Sequence, residues 1–210
     1  MNGLGVHVKV KICGITSRED AIGAMEAGAD ALGFVFYSKS PRYIAPKVAA
    51  EIIASLPPFI SNVGLFVNAS GQEVRQIIER TGIDTLQFHG EESAEDCAPF
   101  LRQCIKAFRI ANVESLQQLP AFHTRAWLLD SFVPGEQGGT GVTFNWALAK
   151  QAVSLNRPVI LAGGLSPENV QEAIRQVRPY AVDVSSGVES SPGKKDLNKV
   201  RAFIKNAKFA

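Results

Sequence analysis

Eight short apolar segments, each followed by a stretch with helical spacing, predict an α/β fold built from repeated strand and helix units. Turns rich in glycine and serine close the seventh and eighth segments, where a closed parallel barrel carries its phosphate site. With a length of 210 residues, these observations predict a single (β/α)8 TIM barrel, one catalytic domain over residues 1–210. A doubly wound open sheet is the alternative. Eight units in this length suit the compact barrel better, and no Pro/Gly/Ser-rich linker interrupts the series.

In order, strands are expected over residues 8–13, 30–36, 60–67, 84–89, 104–110, 125–130, 158–162 and 180–185. Each is a run too short for a helix and apolar enough to be buried on both faces of a parallel sheet. Between them, Val48, Ile52, Ile53 and Leu56, then Val74, Ile77 and Ile78, then Val170, Ala173, Ile174 and Val177 repeat at helical spacing. Leu197, Val200, Phe203 and Ile204 do the same after the last strand. Helix starts agree in phase: Thr16 with Glu19, Ser70 with Glu73 and, as a weaker version, Ser93 with Asp96 have capping-box spacing.

Composition narrows the function. Hydrophobic residues make up 46% and charged residues 20%, and 22 basic against 20 acidic residues give a net charge of +2 with no long single-sign run. That balance argues against nucleic acid or a membrane surface as the main partner. No run approaches the roughly 18 apolar residues of a membrane span, and the first residues do not read as a secretion signal, so a cytoplasmic protein is expected. Cys13, Cys97 and Cys104 form no C-x-x-C pair, which argues against a disulfide framework or a zinc site. A monomer is expected over a homodimer, because no exposed apolar surface is recognisable from the sequence.

The stretch Pro158 to Asn169 reads as a buried strand, the pair Gly163-Gly164, and a helix opened by Ser166 as N-cap with Pro167 in its first turn. Free N–H groups and the helix dipole there favour an anion. The eighth strand ends Ser185-Ser186-Gly187-Val188, which again brings backbone N–H groups close to a ligand. Together the two turns predict a phosphate site. Nucleotide motifs do not fit: five residues separate Gly187 from Gly193, with Lys195 where a P-loop has Ser or Thr. Gly139-Thr140-Gly141 lacks the third glycine of a dinucleotide fingerprint, Phe144 standing there instead. A phosphorylated small molecule is expected, not ATP or NAD.

Period-2 alternation in strand 1 points Lys9, Lys11 and Cys13 into the barrel, with Cys13 at its C-terminal mouth, either as a reacting thiol or as a small core residue. Asp130 ends strand 6 and reads either as a proton donor or as a paired carboxylate capping a loop. Arg42, past the turn after strand 2, reads as a fork for a carboxylate or as a solvated loop cation. His89, ending strand 4, leans towards a positioning or structural role.

These segments carry a resemblance. Lys11 to Thr16, Gly33 to Phe36 with Ser40-Pro41-Arg42, Val63 to Asn68, Gln87-Phe88-His89-Gly90, Asp130 ahead of Gly138 to Gly141, Leu161 to Leu165 and Asp183 to Glu189 resemble the phosphoribosylanthranilate isomerase family of the tryptophan pathway, in order and over nearly the whole chain. Phe88 where leucine is common, and the first six residues, are the departures. The resemblance implies an Amadori rearrangement of N-(5-phosphoribosyl)anthranilate to a carboxyphenylamino-deoxyribulose phosphate, with no metal or organic cofactor. It implies Asp130 as general acid at the furanose oxygen and Cys13 as general base at C2′. Arg42 would bind the anthranilate carboxylate, and Gly163, Gly164, Ser186 and Gly187 the phosphate. Gly139 to Gly141 would belong to a loop beside the phosphate.

Two other functions compete with this one. The histidine-pathway sugar isomerase would need Asp at the end of strand 1 and a second phosphate turn after strand 3, where this chain has Cys13 and Phe66-Val67-Asn68. A non-catalytic phosphosugar-binding barrel would be expected to lose the acid or the base.

Overall fold

The structure is a computed structural model and describes residues 8–101, 104–131 and 146–210. Eight parallel strands form a closed barrel in chain order: β1 (Lys9–Cys13), β2 (Ala31–Val35), β3 (Ser61–Phe66), β4 (Thr85–Phe88), β5 (Cys104–Ile110), β6 (Ala126–Ser131), β7 (Val159–Leu161) and β8 (Ala181–Val184). All eight expected strands are present, most of them trimmed by a residue or two. Pairing of Lys9 with Ala181 and of Ile12 with Val184 closes the barrel between β1 and β8.

Alternation sorts the side chains into two layers. Ile105, Ala107, Ala126, Leu128, Ile160, Ala162 and Ala181 pack inside the barrel. Their outward neighbours, such as Val10, Ile12, Leu86, Phe88, Trp127 and Leu161, form the larger core beneath the helices. The expected face of α3 (Gly71–Thr81) is buried through Val74 and Ile77, and that of α6 (Val170–Val177) through Val170, Ala173 and Val177. The other helices are α1 (Arg18–Glu26), α2 (Pro46–Ile53), α4 (Ala94–Cys97), α5 (Trp146–Val153) and α7 (Leu197–Lys208).

Four local details depart from the sequence reading. Ser17, not Thr16, caps α1 by accepting from the Asp20 N–H, while the Thr16 hydroxyl donates to the Gly193 carbonyl. Ser93 and Asp96 form a complete reciprocal box at α4, although Asp is the shorter partner. Between β5 and β6 two 3-10 turns, Glu114–Leu116 and Leu119–Ala121, replace a helix. After β8 the chain folds into a hairpin, β9 (Glu189–Ser191) and β10 (Lys194–Lys195), before α7.

Candidate active site

The C-terminal mouth is built around β1. Cys13 is its last residue, buried and in register with Gly33 of β2. A Cβ on Gly33 would lie 2.7 Å from the Cys13 sulfur and 3.1 Å from Cε of Lys11, so glycine there makes room for both side chains. One step below, Lys11 Nζ donates to Asp183 Oδ1 of β8 at 2.8 Å, and the pair is almost fully buried. Burial would strip the proton from Lys11, but Asp183, with the Cys13 sulfur beside it, more than offsets that, and the ammonium is held charged. Burial pushes the Cys13 thiol up from its ordinary value. The neighbouring Lys11 charge pulls it back and Asp183 opposes that pull.

Asp130 stands inward at the end of β6, separated from Cys13 around the barrel by β7 and β8. Its side chain is 30% exposed. Its Oδ2 lies 3.2 Å from His89 Nε2, and His89 Nδ1 lies 2.9 Å from Gln87 Nε2, both of these residues facing inward at β4. Arg109 of β5 is in register with Asp130 and reaches the exposed rim beside it.

Arg42 is tied into the mouth rather than left as a solvated loop cation. Its N–H donates to Ser40 Oγ, and its Nε and Nη2 grip Glu189 Oε1 and Oε2 at 2.8 and 2.7 Å. Lys195 Nζ donates to the same carboxylate at 2.8 Å. Burial pushes Glu189 up, yet the Arg42 and Lys195 hydrogen bonds outweigh it and hold the carboxyl below its usual range. One edge of the guanidinium fork is thus occupied, and among the described residues the Nη1 side has no acceptor and could take a second anion. Gly14, at φ 79°, passes under this group: a Cβ there would meet Arg42 Cδ at 2.7 Å and Ser185 Oγ at 3.0 Å. Ser185 Oγ is buried with no hydrogen-bond partner among the described residues.

The two expected phosphate turns touch. Gly163 and Gly164 have φ of 79° and 65°, a conformation that L side chains rarely adopt. A Cβ on Gly187 would fall 2.0 Å from the Leu165 carbonyl oxygen, so the β8 turn lies directly against the β7 turn. Ser186–Val188 is a 3-10 turn. The helix does not begin at Ser166: a turn precedes α6, in which Ser166 Oγ accepts from the Glu168 N–H, and Asn169 bridges the Ser166 N–H and the Gly164 carbonyl. Gly139 to Gly141 lie outside the described residues.

The structure therefore brings Cys13, Arg42, Asp130, Gly163, Gly164, Ser186 and Gly187 to one end of the barrel. Sequence reasoning missed the Lys11–Asp183 pair, Gln87, and the Glu189–Lys195 clamp on Arg42. Parity was a usable signal for the first, since a lysine inside a barrel demands a carboxylate, and Asp183 has the inward parity of β8.

The N-(5'-phosphoribosyl)anthranilate (PRA) isomerase family model matches residues 10–206. The chain belongs to the PRA isomerase family. A curated PRA isomerase of Trichlorobacter lovleyi is 54% identical over 203 residues, spanning 97% of this chain and 99% of its own. The crystal structure of the Thermotoga maritima phosphoribosyl anthranilate isomerase is similar at a TM-score of 0.92 and 46% identity, over 97% of this chain and 100% of that one. Another PRA isomerase structure, in complex with reduced 1-(o-carboxyphenylamino)-1-deoxyribulose 5-phosphate, is similar at 0.87 and 44%, over 97% and 100%.

Proposed function

We propose that this chain is a phosphoribosylanthranilate isomerase of tryptophan biosynthesis, converting N-(5-phosphoribosyl)anthranilate to 1-(2-carboxyphenylamino)-1-deoxyribulose 5-phosphate. The observation that carries it is the pairing of family membership with two proton-transfer groups, Cys13 and Asp130, inward at the ends of β1 and β6. Asp130 gives its proton to the furanose oxygen as the bond to the anomeric carbon breaks, leaving an open Schiff base. Cys13, beside the Lys11 ammonium, takes the C2′ proton, and the enolamine formed tautomerises to the ketone. The free edge of Arg42 holds the anthranilate carboxylate, and the contacting turns at Gly163-Gly164 and Ser186-Gly187 hold the phosphate.

All of these groups belong to one chain, so a monomer working as one domain over residues 1–210 would carry a complete site. Among the described residues no helix is long and apolar enough to cross a membrane. A phosphorylated, ionised substrate suits a cytoplasmic site. The test is turnover of freshly generated phosphoribosylanthranilate, followed by loss of its fluorescence. Turnover without added metal or cofactor is expected, and substrate binding with no turnover would overturn the reading.

A further inference from the structure

We propose that Gln87 and His89 are positioning residues for Asp130: together they set which of its carboxyl oxygens carries the transferable proton. This rests on the reading of Asp130 as general acid. Gln87 is fully buried on the inner face of β4, and its amide nitrogen sits 2.9 Å from His89 Nδ1. An amide nitrogen only donates, so Nδ1 is the bare, accepting nitrogen and the neutral ring carries its proton on Nε2. That N–H is aimed at Asp130 Oδ2, 3.2 Å away.

The amide orientation follows from what each choice leaves unpaired. As placed, Gln87 Oε1 is buried with no partner among the described residues. Turned over, the amide would instead bury N–H donors without that partner, and orphaned N–H groups are the rarer in folded proteins. With Oδ2 committed as acceptor, the acidic proton resides on Oδ1. When it passes to the ring oxygen, the anomeric C–O bond breaks and its electron pair stays with that oxygen. The charge then appearing on the carboxylate meets an N–H already in place, so little reorganisation accompanies the step.

The chain has three histidines, so the ring nitrogen NMR spectrum is assignable by comparison with His89→Asn. In the native protein His89 is expected in the Nε2–H form. Gln87→Glu turns an acceptor towards Nδ1 and draws the proton there. With circular dichroism unchanged, its kcat is expected to fall about tenfold or more while KM moves less than about twofold. His89→Gln, which retains an N–H in that region, should recover part of the kcat lost in His89→Ala. An Nδ1–H ring in the native protein, native kcat in Gln87→Glu, or equal kcat in the two His89 variants would overturn the proposal. Asp130→Asn separates it from the reading beneath: turnover by that variant would sink the acid assignment itself, whatever His89 does.

Discussion

Cys13 is the residue whose surroundings run hardest against its assigned work. Burial favours its thiol, Lys11 favours the thiolate, and Asp183 spends part of the Lys11 charge. Asp183→Asn removes the carboxylate that raises the Cys13 thiol and leaves the sulfur as the remaining counter-charge for Lys11, so the Cys13 pKa is expected to fall and the thiolate to appear at lower pH. Iodoacetamide labelling of the Cys13 peptide, read by mass spectrometry across pH, should shift to lower pH in that variant, whereas an unchanged or raised midpoint would contradict the assignment of cause. At Arg42 the fork matters more than the charge, because one edge grips Glu189 and the other is the edge proposed for the anthranilate carboxylate. Arg42→Lys keeps the charge but cannot bridge both, and KM is expected to rise about tenfold or more with a smaller loss of kcat. The positions of Cys13, Asp130 and Arg42 were legible because each ends or follows a short apolar strand. Their partners were not: Asp183 and Glu189 lie 172 and 147 residues from Lys11 and Arg42, and only closure of the barrel brings them together.

At the scale of elements, strands were more legible than what joins them. A run such as Val159–Leu161 has few alternatives to a buried strand, but the β5–β6 connection covers the sheet with Leu116 and Leu119 from 3-10 turns and Phe122 just after the second, a job usually done by a helix. Phe122 stacks edge-on against Phe108 at 5.1 Å, and its carbonyl accepts from the Trp127 indole, so the packing is met without helical periodicity. Thr16 and Ser17 are adjacent hydroxyls, and spacing alone could not choose between them. The contact of the β7 and β8 turns leads to a further expectation: Gly187→Ala must push the β8 turn away from the Leu165 carbonyl. Affinity for the deoxyribulose phosphate product, measured by calorimetry, should drop about tenfold or more, equivalent to about 1.4 kcal/mol. Below the β4 loop, Lys106 Nζ is buried against Glu92 Oε2 at 3.0 Å, and Glu92 also accepts from the Asn68 and Gly90 N–H groups. Lys106→Met would leave that carboxylate uncompensated at a cost of about 3–5 kcal/mol in urea unfolding. Adding Glu92→Gln should recover part of it.

For the whole molecule, the barrel separates two jobs in space. Register around β6, β7, β8 and β1 sets Asp130 on one side of the mouth and Cys13 on the other, with the turns proposed for the phosphate on the strands between. On the proposed assignment, a substrate anchored by its phosphate between β7 and β8 would meet an acid from one flank and a base from the other. That arrangement follows from strand order, and strand order was readable from eight repeats in sequence. The measurement that tests it most directly is isomerase turnover of the native protein beside Cys13→Ser and Asp130→Asn, each shown to be folded by circular dichroism. Activity falling by about a hundredfold or more in both variants is the predicted result, the scale of a lost general acid or base. Near-native turnover in either folded variant would contradict the division of labour between β1 and β6.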